Sequence, residues 1–158
     1  MEELKTKTTG SKSRILNELR ICMPATSENE GVARSVVGAF IARFDPTVEE
    51  LADIRCAVSE AVTNSVVHAY GGMGGKLYIN IRFRNGRVVE VEIKDKGKGI
   101  SDIETAMQPL FTTDNSGERS GMGFAVMQSF ADSVKVRSAP GKGTAVILRK
   151  KLSDADNV

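Results

Sequence analysis

Between Cys56 and Gly75 the chain carries a single formally charged side chain, Glu60, and Asn64 follows four residues later. On a helix that spacing sets a carboxylate and an amide on one face, about 40° apart and opposite the stripe Leu51, Val58 and Val62. Ala57, Ala61 and Val67 flank the pair, so two polar groups are set into an otherwise apolar wall. A carboxamide oxygen is a hard ligand suited to Mg2+, which keeps several waters and takes few protein oxygens besides substrate phosphates. A carboxylate one turn away is placed to accept a proton from a hydroxyl or water attacking a terminal phosphate. A lone Glu/Asn pair also reads as a solvated face or a side-chain hydrogen bond, and the apolar flanks weigh against that.

Two glycine-bearing segments add to the pair. Asp95-Lys96-Gly97-Lys98-Gly99 closes an alternating apolar run. It reads either as an ordinary Asp/Gly turn or as a carboxylate that accepts from an adenine amino group, with Gly97 and Gly99 letting the backbone approach the base. Ser120-Gly121-Met122-Gly123-Phe124 lies where a polar stretch becomes a helix, and amides at a helix N-terminus attract phosphate. There is no GxxxxGK[ST] phosphate loop and no HRD or DFG of the eukaryotic-type protein kinases. His68, the only histidine, reads as a structural or surface residue, and Met107, Met122 and Met127 as packing residues.

The elements that must hold these residues follow from periodicity and punctuation. Leu19–Met23 alternates weakly before Pro24, a short strand. Ser27-Glu28-Asn29-Glu30 has capping-box form and opens a helix over 28–44. Asp45-Pro46 breaks it, and Thr47-Val48-Glu49-Glu50 repeats the box to start a helix through about His68. Gly71–Gly75 stops that helix. Lys76–Arg84 and the segment around Val89, Val91 and Ile93 alternate on either side of the Asn85-Gly86 turn. From Asp95 to Ser120 the chain is polar, with one short helical turn at 102–107, a loop long enough to be functional. Gly121–Ala131 is a helix, and Val134–Ser138 and Thr144–Leu148 form a last hairpin. The order β-α-α-β-β-loop-α-β-β predicts an α+β two-layer sandwich, a mixed, mostly antiparallel sheet with helices on one face.

Composition sets the class. The chain has 158 residues, 41% apolar and 27% charged, with 22 basic side chains against 20 acidic ones. That supports one compact domain, 15–152, between an N-terminal extension, 1–14, and a tail, 153–158, both expected to be flexible. The net charge of +2 sits within the extension, so the body sums to zero and offers no general electrostatic footprint for nucleic acid. No apolar run approaches the roughly 20 residues of a membrane span. Cys22 and Cys56 lack the spacing of a metal or redox site, and free thiols fit a reducing, cytoplasmic compartment.

Taken together, ExxxN on a helix, DxGxG after a strand, GxG at a helix start and Gly143-Thr144 in the last hairpin occur in one fixed order. The set resembles the Bergerat-type ATP-binding superfamily of gyrase, histidine kinases and heat-shock chaperones. Ala25-Thr26-Ser27-Glu28-Asn29-Glu30, Val58 through Ser65, Gln108-Pro109-Leu110-Phe111-Thr112-Thr113 and Glu118 through Phe124 are similar to the sporulation anti-sigma F factors, a family of serine kinases. The resemblance implies ATP or ADP with Mg2+ held by Asn64, Asp95 on adenine assisted by Thr144, and a lid between Asp95 and Gly121. It implies Glu60 as general base, Arg119 on the terminal phosphate or a partner, and Arg34 on the partner surface. It further implies a sporulation sigma factor as the inhibited partner, an anti-anti-sigma factor phosphorylated on serine, and a homodimer. Two other readings stand beside it: a nucleotide-sensing binding module in which Glu60 is structural, and the detached ATP domain of a histidine kinase.

Overall fold

The computed structural model describes residues 13–108 and 122–155. The elements are β1 (Ile15–Pro24), α1 (Ser27–Ala42), α2 (Val48–Asn64), a π-helical turn (Ser65–Ala69), β2 (Lys76–Arg84), β3 (Val88–Asp95), α3 (Ile103–Ala106), α4 (Gly123–Phe130), β4 (Ser133–Ser138) and β5 (Thr144–Lys151). The strands form one sheet in the order β1-β2-β3-β5-β4. All four pairings are antiparallel, so the expected mostly antiparallel sheet is antiparallel throughout the described residues.

Alternation decides which face the helices cover. In β2, Leu77, Ile79, Ile81 and Phe83 are buried, and in β3 so are Val89, Val91 and Ile93. They meet Ile54, Ala57, Val58, Ala61 and Val62 of α2 and Ala33, Val37, Phe40 and Ile41 of α1 in one core. α2 is the central helix, in contact with both α1 and α4. The opposite face of the sheet is polar. There Glu90, although 2% exposed, accepts from Arg82 and Arg84 at 3.0 Å each and from Arg149 at 2.7 Å. Burial would push this carboxyl up, but the three guanidinium hydrogen bonds outweigh it and hold the group at about 2.

The two predicted capping boxes have different fates. Thr47 and Glu50 form theirs: Glu50 N–H donates to Thr47 Oγ1 at 3.1 Å and Thr47 N–H to Glu50 Oε2 at 2.8 Å. The first box is not formed. Thr26 is the N-cap of α1 and makes no side-chain cap bond, and Ser27 is already helical. Glu30 instead accepts from Ser59 on α2 and lies 3.8 Å from Arg34, so it joins α1 to α2 rather than closing a helix end. β1 spans ten residues where five were expected. Ser13 and Arg14 ahead of it bond to Asn85 in the β2–β3 turn.

Candidate functional site

α2 carries Glu60 and Asn64, both partly buried, to the start of α4. A Cβ built on Gly123 would stand 3.1 Å from Asn64 Oδ1 and 3.4 Å from Glu60 Oε2. Glycine therefore lets the first turn of α4 lie in contact with the carboxylate and the amide together. The amides of Gly123, Phe124 and Ala125 have no acceptor within the helix, whereas Val126 N–H already donates to Met122 O at 2.8 Å. Amides, an amide oxygen and a carboxylate at one point suit a phosphate chain with its cation. Among the described residues no three His, Cys, Asp or Glu side chains gather as a metal site, so a cation here would take most of its ligands from phosphate and water.

The second half of the site is Asp95, at the end of β3 and 2% exposed. Its Oδ1 accepts from Gly97 N–H at 3.0 Å and Thr144 N–H at 3.1 Å, and its Oδ2 accepts from Ser65 Oγ at 3.0 Å. The sheet register makes this possible by placing Asp95 directly opposite Thr144. Two glycines are required by close approach of backbone to backbone. A Cβ on Gly97 would fall 2.3 Å from Ala69 O, and one on Gly143, whose φ is +76°, would fall 2.1 Å from Asp95 O. Gly99 is pressed in the same way on Ala139. These glycines thus let main-chain segments close on one another around Asp95. Thr144 Oγ1 shares a 2.8 Å hydrogen bond with Ser138 Oγ.

The two halves meet through the π-helical turn. Asn64 ends α2 beside Gly123, and the next residue, Ser65, donates to Asp95. At the far end of the turn Tyr70 OH donates to Lys76 O at 2.7 Å and accepts from Lys96 N–H at 2.8 Å, tying it to β2 and to the segment after Asp95. Sequence reasoning missed both residues as site members. Ser65 entered the sequence reading as the end of the stretch Val58 through Ser65, and no local signal distinguishes Tyr70. Arg34 lies apart on α1, its side chain 44% exposed beside Glu30. Arg119 and Gly121 lie outside the described residues. Cys22 and Cys56 are free and exposed, and His68 lies in the π-helical turn.

This arrangement has counterparts. Residues 23–150 match the family model described as a histidine kinase-like ATPase domain, which defines the class. The anti-sigma F factor of Thermoanaerobacter sp. (strain X514) is 52% identical over 136 residues, 86% of this chain and 94% of that one. That of Halalkalibacterium halodurans is 51% identical over 138 residues, 87% and 94% of the two chains. The chain belongs to the anti-sigma F factor family, within the histidine kinase-like ATPases. The fold is shared with the crystal structure of the RsbU and RsbW domains of a Mycobacterium tuberculosis protein, with a TM-score of 0.65, 20% identity, and coverage of 87% of this chain and 33% of that one. No helix among the described residues is long and apolar enough to cross a membrane.

Proposed function

We propose that the chain is an ATP-dependent protein-serine kinase that also binds and inhibits a sporulation sigma factor, and that its phosphoryl acceptor is a serine of an anti-anti-sigma factor. The observation that carries the catalytic part is the meeting of Glu60, Asn64 and the start of α4 at Gly123. Asn64 Oδ1 would be the protein ligand of Mg2+, whose charge offsets that of the β- and γ-phosphates. The amides at the start of α4 and Arg119 bind the phosphate oxygens. Asp95 accepts from the 6-amino group of adenine, and Thr144 lines the same side. Glu60 takes the proton of the acceptor serine hydroxyl as that oxygen attacks the γ-phosphorus, and ADP departs. Arg34 and Arg119 face the protein partners. The protein acts in the cytoplasm.

Incubation with labelled ATP and the cognate anti-anti-sigma factor tests this. Phosphate on a partner serine is the expected outcome. Glu60→Ala keeps ADP affinity and slows transfer by roughly 10²–10⁴-fold, the range of a general base. Absence of phosphoserine with the wild-type protein leaves a nucleotide-sensing binding module, and acid-labile phosphate on histidine points to a histidine kinase.

The functional unit is a homodimer. Among the described residues β1 is an edge strand, exposing Ile15 at 40%, Leu16 at 54% and Leu19 at 37%, and α1 exposes Val32 at 49%. An unpaired edge with apolar side chains favours a second copy. Sedimentation at micromolar concentration should give twice the chain mass, and a monomer mass would refute the pairing.

A further inference from the structure

We propose that Ser65 is the residue that sets base discrimination at this site, by fixing the one oxygen of Asp95 that remains open to a nucleobase. The inference rests on the reading of Asp95 as the acceptor for a purine amino group. A carboxylate offers about four lone-pair positions. Among the described residues Asp95 fills two of them with main-chain amides on Oδ1 and a third with Ser65 Oγ on Oδ2, leaving a single position, on Oδ2.

The amides of Gly97 and Thr144 are main-chain groups. Ser65 is the side-chain donor, and its hydroxyl spans 30 residues of sequence to reach Asp95. A buried helical serine more often bonds back to a carbonyl of its own helix. Here the residue is 5% exposed in a stripe otherwise filled by Val58, Val62 and Val66, where a hydroxyl costs stability unless it has a partner. The π-helical turn that begins at Ser65 is the local departure that sets it beside Asp95. Held by Ser65, the remaining Oδ2 position suits an N–H donor and repels an acceptor. A purine with a 6-amino group gains there, one with hydrogen at position 6 gains nothing, and guanine, with a carbonyl oxygen, loses. Ser65 does not touch the reacting phosphate and is a positioning residue.

Calorimetric titration of the full chain with ADP and with purine riboside 5′-diphosphate, which lacks the 6-amino group, tests this. Ser65→Ala should lose about 10-fold in ADP affinity while its affinity for the 6-hydrogen analogue stays within about twofold of wild type. Ser65→Cys, which keeps the packing volume but donates weakly, should behave in the same way and guards against a folding defect in the alanine variant. Equal losses for both nucleotides, or no loss for either, overturn the assignment of Ser65 while leaving Asp95 in place. Wild-type protein that binds ADP no better than the analogue overturns the reading of Asp95, and the role of Ser65 with it.

Discussion

Asp95 shows how much one buried side chain does here. Among the described residues its three donors hold the carboxylate without any counter-cation among its hydrogen-bond partners. Asp95→Asn would turn an NH2 toward one of those donors and remove the charge from the open position. ADP affinity should fall by about 1.5–3 kcal/mol, as for a lost hydrogen bond to a charged group, and titration calorimetry reads it. An unchanged affinity would sink the adenine assignment. Glu60 and Asn64 were legible in the sequence because they interrupt an apolar stretch at helical spacing. Asp95 was legible because glycines follow it. Ser65 was not, because a small residue on a helix's apolar side looks the same whether it packs or donates. Only the partner 30 residues away separates the two cases.

Elements were legible where local chemistry alone decides them. Thr47 and Glu50 need only each other, and their box forms. Ser27 and Glu30 have the same spacing, but Ser59 on the neighbouring helix claims Glu30, so a tertiary contact overrides the local rule. The length of β1 was under-read for a related reason. An edge strand is half-exposed along both faces, and the alternation on which a strand is recognised fades. The end of α2 was placed within a few residues, yet the change of pitch at Ser65 was invisible. A hydrophobic stripe at 3.6-residue spacing runs on through Val66 without registering one wider turn.

For the whole molecule, the last hairpin was expected as a pair, but its insertion with β5 between β3 and β4 was not. Periodicity assigns faces and leaves neighbours open, and the Asp95–Thr144 contact depends on that neighbour. The polar sheet face makes stability respond to acid. Glu90 is held at about 2 in the folded protein against 4.5 as its ordinary value. A depressed carboxyl stabilises the fold above about pH 4.5 and loses that contribution as pH falls toward 2. The contribution is on the order of 3 kcal/mol. Denaturant melts of wild type and Glu90→Gln should differ most near neutrality and converge between about pH 4.5 and 2. A gap independent of pH would show that the ionised carboxylate is not what matters.

The same face has a second consequence. On it Arg20, Lys76, Arg82, Arg84, Lys94, Lys135, Arg137, Arg149 and Lys151 outnumber Glu18, Glu90 and Glu92, although residues 15–158 together carry no net formal charge. The compensating negative excess within residues 15–158 therefore lies off this face, and a body neutral in sum carries an uneven charge distribution, and with it a dipole. A dipole in the field of an approaching charged protein feels a torque, so collisions are pre-oriented before any contact forms, and added salt weakens that alignment over a Debye length. Encounter rates of this chain would then depend on ionic strength even though its body has no net charge to screen.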